Sequence, residues 1–339
     1  MRNRRLHRSA LNYNPEATEN DCSCFYEEMW TEEVIDGVTY LVIDDYISES
    51  VVLDADEMWL LSGPTVVETG VILTIMPGTT IYTDGSEDIF LSISMGAKIA
   101  ACGTAEEPIM FTPMIDDPEP GYWGGLVLNG LAPINNGPTA YGESGTGADA
   151  GDNSGSLCYV RVEYAGKMIG TDNEMNAFSF IACGARTELN HLQAYMCVDD
   201  GFEFFGGPHS GMLWQQVMVM MDLIGNTVGL EMDNSGLLRL EELHLIEEGI
   251  EGYNLNQTDV ELLPYSDPKL ANISVINLSE NSHHTGFYLS SDTKGSFMNM
   301  VIHGFQDEGC QVTRNLTIEN MEAEELTLTH SIIDNANPL

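Results

Sequence analysis

Short runs of alternating apolar and polar residues recur through the second half of the chain. They are YVRVEYAG (159–166), HLQAYMCV (191–198), QVMVMMDL (216–223), ELHLIEEG (242–249), NISVINLS (272–279), NMVIHGFQ (299–306) and THSIIDNA (329–336). Aligned on a shared inward position, they put Val162, Ala194, Val219, Leu245, Val275, Ile302 and Ile332 in one column. The successive spacings are 32, 25, 26, 30, 27 and 30 residues. Period-two alternation is the signature of a half-buried strand, and a repeat of this length is one turn of a coiled solenoid. A second strand follows in most turns, opened by a small residue: AFSFI (177–181), GFEFF (201–205), GLEMD (229–233), GYNLN (252–256), GFYLS (286–290) and GCQVT (309–313). Its small, apolar, polar, apolar pattern sends Phe202 and Phe204 inward and Glu203 outward. The outward positions equivalent to Glu203 are Glu231, Asn254, Tyr288 and Gln311. An acidic residue before the glycine, as in Asp200-Gly201, reads as a corner in which glycine takes positive φ.

The first half has the same character. GPTVVETGVILTIMPGTTIY (63–82) and IFLSISMGAKIAACGTAEEPIMFTP (89–113) are β-rich runs broken by Gly and Pro corners, and no long amphipathic helix pattern competes. Residues 130–156 are poor in apolar residues and rich in Gly, Asn and Asp, which marks an excursion serving as a ligand loop or a lateral packing loop. The expected fold is all-β, a single-stranded right-handed parallel β-helix. It divides into an irregular N-terminal arm (1–36), which carries NYNPEATENDCSC, and a body (37–339). Neither end shows an amphipathic capping helix.

Charge changes the list of partners. The 339 residues hold 53 acids against 12 bases, a formal net charge of −41, and four of the bases (Arg2, Arg4, Arg5, Arg8) lie within the first eight positions. Such a surface repels nucleic acid and anionic membranes and attracts divalent cations. There is no apolar run long enough for a transmembrane helix. The basic start resembles a signal n-region, but the residues after it supply no apolar core for one. Seven cysteines with no CxxC pair give little support for zinc. Cys22 and Cys24 lie in an acidic, turn-rich segment suited to disulfides, while Cys102, Cys158, Cys183, Cys197 and Cys310 sit in apolar contexts and read as small core residues. Sequons at Asn256, Asn272, Asn277 and Asn315 are compatible with surface turns.

Five blocks occur in order: WLLSGPTVVETGVILTIMPGTTI, GAKIAACGTAEEPIMFTP, GYWGGLVLNGLAPIN, GDNSGSLCYVRVEYAG and VDDGFEFFGG. Together they resemble a family of secreted bacterial right-handed β-helix proteins, many of them type IX secretion cargo or surface lipoproteins. The resemblance covers residues 47–235 closely and implies the fold and an extracellular or cell-surface address, without a defined reaction. SALNYNPEATENDCSC (9–24) is similar to a short Asn/Asp-rich motif of modular extracellular proteins. It departs from that motif at Cys22, where glycine is usual, and lacks the preceding Gly-Cys.

Three functional readings follow. An enzyme on acidic polysaccharides has Asp199, Asp200 and Glu203 as candidate acids and GPHSG (207–211) as a histidine turn, but no RxK element, and its polyanionic substrate is repelled by the surface. A calcium or glycan-binding surface protein has Asp149, Asp152 and Asn153, and Asp199, Asp200 and Glu203, as oxygen ligands for Ca2+. Tyr122 and Trp123 are sugar-stacking candidates, although GYWGGLVL reads more simply as the start of a core strand. His283-His284 reads as exposed rather than metal-binding. A structural building block, the expectation adopted, associates head to tail with copies of itself. Its contacts come from the basic arm (Arg2, Arg4, Arg5, Arg8), from Cys22 and Cys24, and from open strand edges.

Overall fold

The computed structural model describes residues 30–86, 89–134, 149–170, 173–198, 200–206, 285–290, 293–305 and 308–334. It also describes, as backbone alone, short strands between 230 and 277. Strand β1 (Thr31–Ile35) folds back antiparallel on β2 (Val38–Ile47). Both turn residues, Asp36 and Gly37, have positive φ, as a two-residue hairpin requires. The expected boundary between arm and body falls inside this turn.

From β2 onward the chain winds as a coil of parallel strands. β2 and β3 (Val51–Leu53) form the first turn, and β4 (Trp59–Val67) and β5 (Ile72–Ile75) the second. β6 (Thr80–Thr83), β7 (Phe90–Ile93) and β8 (Lys98–Cys102) form the third. β9 (Ile109–Pro113), β10 (Leu126–Asn129) and the first half of β11 (Gly155–Glu163) follow. A small antiparallel pair, β12 (Met168–Gly170) and β13 (Asn173–Glu174), leaves the coil before β14 (Phe178–Ile181), β15 (Glu188–Tyr195) and β16 (Phe202–Phe205). Beyond these lie β17 (Leu230–Asp233), β18 (Leu237–Leu238), β19 (Leu243–Leu245), β20 (Ile250–Gly252), β21 (Lys269–Ala271) and β22 (Ser274–Asn277). The last turns are β23 (Phe287–Leu289), β24 (Gly295–Met298), β25 (Val301–His303), β26 (Cys310–Val312), helix α1 (Asn315–Glu322), β27 (Leu326–Thr329) and β28 (Ile332–Asp334).

Three faces result. The first holds β6, β9 and the C-terminal halves of β11 and β15, and later β19, β22, β25 and β28. The second runs β7, β10, β14, β16, β17, β20, β23, β26. The third holds β5, β8 and the N-terminal halves of β11 and β15, then β18, β21, β24 and β27. Inward residues of all three faces meet in one core, where like side chains stack from turn to turn. Phe178 lies on Phe202 at 5.0 Å between centroids, and Phe180 on Phe204 at 4.9 Å. Trp123 is fully buried against Phe111, and its Nε1 donates to the Glu163 carbonyl, so it belongs to the core and not to a sugar platform.

A second apolar cluster lies outside the coil, on the outer side of the second face. Val127, Ile181 and Phe205 are covered there by Met175, with Phe90 and Ile134 against them. The described ends of the excursion take part in this packing. Gly130 and Ala132 donate backbone hydrogen bonds to Ile181 and Ala182, and Asp149 donates to Leu131. Residues 135–148 lie outside the described residues.

The structure corrects several expectations. The partner of Ile302 is Ile333, not Ile332, whose side chain is 63% exposed. Two adjacent isoleucines satisfy the alternation in either phase, and pairing chooses between them. Val275 pairs with Leu243 rather than Leu245. In the second strand, Glu251 and not Asn254 stands in the Glu203 column, because β20 is Ile250–Gly252. The glycine opening the strand is needed for space and not for φ at Gly286, where a Cβ would meet Ile302 Cγ2 at 2.4 Å and Gly309 O at 2.5 Å. Positive φ at the corner between the third and first faces falls instead on Tyr159, His191, Asn299 and His330. Cys102 and Cys158 are not core thiols. They are register partners in neighbouring turns and form a disulfide with a Cα–Cα distance of 4.2 Å. A helix absent from the sequence reading, α1, buries Thr317 and Asn320, and its Met321 lines a cavity of about 240 Å3 with Phe297, Leu326, Leu328 and Ile333. Its apolar pattern is too weak to be read as amphipathic.

Candidate functional site

Among the described residues, the most elaborate outer surface lies on the first face, where β11 and β15 run in parallel register. Val162 and Ala194 point into the core, so alternation turns Arg161, Glu163, Gln193 and Tyr195 outward in two adjoining rows. The Arg161 guanidinium is held three ways. Nε pairs with Glu163 Oε1, Nη1 donates to Gln193 Oε1 at 3.1 Å, and Cζ sits 4.2 Å above the centre of the Tyr195 ring. The other Glu163 oxygen accepts from the Thr112 hydroxyl at 2.6 Å. The planar fork and ring-stacking capacity of arginine suit it to this place, where lysine would make fewer of these contacts.

Aromatic side chains continue the strip on both sides. Tyr164 meets Tyr195 edge to face at 5.9 Å, and Tyr159 stacks on His191 at 4.1 Å. Tyr159, Tyr164, His191, Gln193 and Tyr195 are all half-buried. Burial, with Tyr195, Glu163 and Asp117 nearby, holds the Tyr164 hydroxyl above its usual range, so it stays a neutral hydrogen-bond donor. The strip therefore combines rigid ring faces with oriented donors and acceptors. Its rings, donors and acceptors are chemically suited to the apolar patches and hydroxyls of a sugar chain, and their mutual contacts leave little side-chain ordering to pay on binding.

The sequence candidates for a cation are distributed differently. Asp149, Asp152 and Asn153 lie on the return of the excursion into β11, where each engages a neighbouring donor. Asp149 Oδ1 accepts from the Gly151 N–H, and Oδ2 lies 3.5 Å from Arg186 Nη2. Asp152 Oδ2 accepts from Ser154, and Asn153 Oδ1 from the Gly155 N–H. Asp200 and Glu203 share a second locality. Asn176 Oδ1 accepts the Asp200 N–H at 3.0 Å while its Nδ2 donates to Glu203, and all three residues are buried. Glu203 thus points outward from the core, as the alternation requires, yet is not on the solvent surface. Among the described residues no group of three or more His, Cys, Asp or Glu side chains converges as a metal site. Asp199, His283, His284, Arg2, Arg4, Arg5, Arg8, Cys22 and Cys24 lie outside the described residues.

Residues 45–338 match the model of the pectate-lyase-like β-helix domain, and the chain belongs to that family. No curated protein and no solved structure matches it. No helix among the described residues is long and apolar enough to cross a membrane.

Arg161, Glu163, Tyr195, Tyr159 and His191 were not singled out by the sequence. Their signal was present in YVRVEYAG and HLQAYMCV, whose outward positions carry charge and rings where a purely structural repeat needs only solubility. It emerges when the two segments are set in register, since Arg161 then faces Gln193 and Glu163 faces Tyr195.

Proposed function

We propose that the protein is a non-enzymatic, extracellular or surface-exposed β-helix that binds an uncharged polysaccharide along the outer strip of β11 and β15. The observation that carries this reading is Arg161, fixed by Glu163 and Gln193 over the Tyr195 ring within a row of half-buried aromatic side chains. Net charge favours an uncharged chain over a polyuronate, since a −41 surface repels polyanions. An oxidising address is supported by the Cys102–Cys158 disulfide and fits the resemblance to type IX secretion cargo. The homopolymer expectation rests on Arg2, Arg4, Arg5, Arg8, Cys22 and Cys24, outside the described residues, so the glycan reading takes precedence.

The test is retention on a panel of neutral and acidic polysaccharides by affinity electrophoresis, with Arg161→Ala/Tyr195→Ala beside the wild type. Loss of two anchors is expected to weaken binding by on the order of a hundredfold. Unchanged retention in the variant overturns the site. Release of reducing ends or of unsaturated sugars by the wild type overturns the non-enzymatic reading.

A further inference from the structure

The last described turns of the coil enclose a hollow. Inward residues of all three faces line it, and its volume is about 240 Å3. The floor is Leu289 of β23, Phe297 of β24, Cys310 of β26 and Leu326 of β27, none more than 6% exposed. Val312, Leu328 and Ile333 are half-buried and form its sides, where they pack against the common core. Met321 of α1 and His330 are exposed, so the mouth lies between them.

Among the described residues that line the cavity there is no Asp, Glu, Lys or Arg, although the chain carries a net charge of −41. Both lining hydroxyls are already engaged. Ser331 Oγ donates to the Thr329 carbonyl at 2.9 Å and accepts the Met300 N–H at 3.1 Å, and Thr327 Oγ1 donates to Ser296 Oγ at 3.4 Å. Burial pushes the Cys310 thiol up to about 11, which keeps it neutral. The interior therefore offers hydrocarbon and sulfur alone. His330 is the exception. It sits at a corner with φ of 54°, and its imidazole makes no hydrogen bond or ion pair among the described residues. One polar group at the mouth is thus open to a ligand.

We propose that this cavity binds a compact, uncharged aromatic molecule of the phenol or indole kind, its ring inside and its single hydroxyl or N–H at His330. Size sets the first limit. A dry apolar cavity of about 150 Å3 takes benzene, so a cavity of about 240 Å3 has room for two fused rings. The lining favours a ring over an acyl chain, because the Phe297 ring, the Met321 thioether and the Cys310 sulfur are polarisable partners for a π-system. A carboxylate ligand is disfavoured, since no lysine or arginine lines the cavity to pair with it and an unpaired charge is costly to desolvate. The unbranched Met321 side chain at the mouth adapts to rings of different outline.

The experiment titrates 1-naphthol and naphthalene into the full chain, followed by calorimetry and by NMR of carbon-labelled methionine methyls. Wild type is expected to bind 1-naphthol at one saturable site with a Kd of about 0.1 mM. The Met321 methyl, assigned by its loss in Met321→Leu, is expected to shift on binding. Ile333→Trp fills the side of the cavity and is expected to weaken binding by about tenfold or more. His330→Ala removes one hydrogen bond, and is expected to weaken 1-naphthol by about threefold to tenfold while leaving naphthalene unchanged. Tyr46→Ser removes an exposed ring from β2 and keeps wild-type affinity. If Ile333→Trp does not fold, Leu328→Phe is measured, with the same sign expected. The proposal is overturned if 1-naphthol binds without saturation, if the Met321 methyl is unmoved, or if the filled variants keep wild-type affinity. Equal weakening of both probes in His330→Ala overturns the placing of the polar group. Dimers that 1-naphthol dissociates would assign the cavity to a second copy of the chain and overturn the proposal.

Discussion

Replacing Cys102 and Cys158 by serine tests the corrected role of these cysteines. The bond joins residues 56 apart in sequence. In the chain-entropy model, closing a loop of that length removes about 14 cal/mol/K from the unfolded ensemble, or about 4 kcal/mol at 25 °C. The native state adds no cost of rearrangement, since the two residues are already partners in the parallel ladder. At about 2.1 cal/mol/K per residue a 339-residue chain unfolds with about 0.7 kcal/mol/K, so a kcal/mol moves the midpoint by about 1.4 °C and the double variant is expected to melt about 6 °C lower. Thermal and urea unfolding would be measured for both proteins, with and without reductant. Reductant should bring wild type down to the variant and leave the variant unmoved. The reasoning fails if peptide mapping of oxidised protein finds free thiols at 102 and 158, or if the two proteins differ by less than about 1 kcal/mol.

Other consequences concern the core. Burial pushes the Cys183 and Cys197 thiols up to about 12 and Cys310 up to about 11. All three should resist alkylation at pH 8 until the protein unfolds, and labelling of the native protein would contradict their burial. The unfolded chain ionises its thiols from about pH 9, whereas the folded chain retains those protons. Stability from these groups is therefore complete below pH 9 and falls between pH 9 and about 12, by up to about 1.4 kcal/mol per pH unit for each thiol. Urea midpoints across this range measure the slope, and cysteine-to-alanine variants should flatten it. Phe202→Ala removes a ring that is 1% exposed and stacked on Phe178, and it should cost about 3–5 kcal/mol in urea unfolding. A loss below about 1 kcal/mol would place that ring outside the core.

Much of the coil was legible in the sequence. The alternation in YVRVEYAG and GFEFF predicts strands that send Val162, Phe202 and Phe204 inward, and all three are buried in the common core. Such patterns are readable because side-chain direction in a strand depends only on parity along the chain. The match to a pectate-lyase-like β-helix domain over residues 45–338 agrees with that reading. The candidate site was much less legible. Arg161 looks like an ordinary exposed base until Gln193 and Tyr195 are set beside it by a turn 32 residues later.

What the sequence determined by itself was therefore local: the presence of strands, their inward residues, the approximate length of a turn, and a large excess of acidic over basic residues. The tertiary structure decided the register, which separates Ile333 from Ile332 and puts Glu251 in the Glu203 column. It also decided which corners take positive φ, with Tyr159 and His191 there in place of glycine. Pairing of Cys102 with Cys158, and the cover that buries Ser179 and Glu203 on the outer side of the sheet, belong to the same level. Parity tells a side chain which side of its own sheet to occupy. What waits on that side is set by residues a full turn away, brought there by packing that no local pattern encodes.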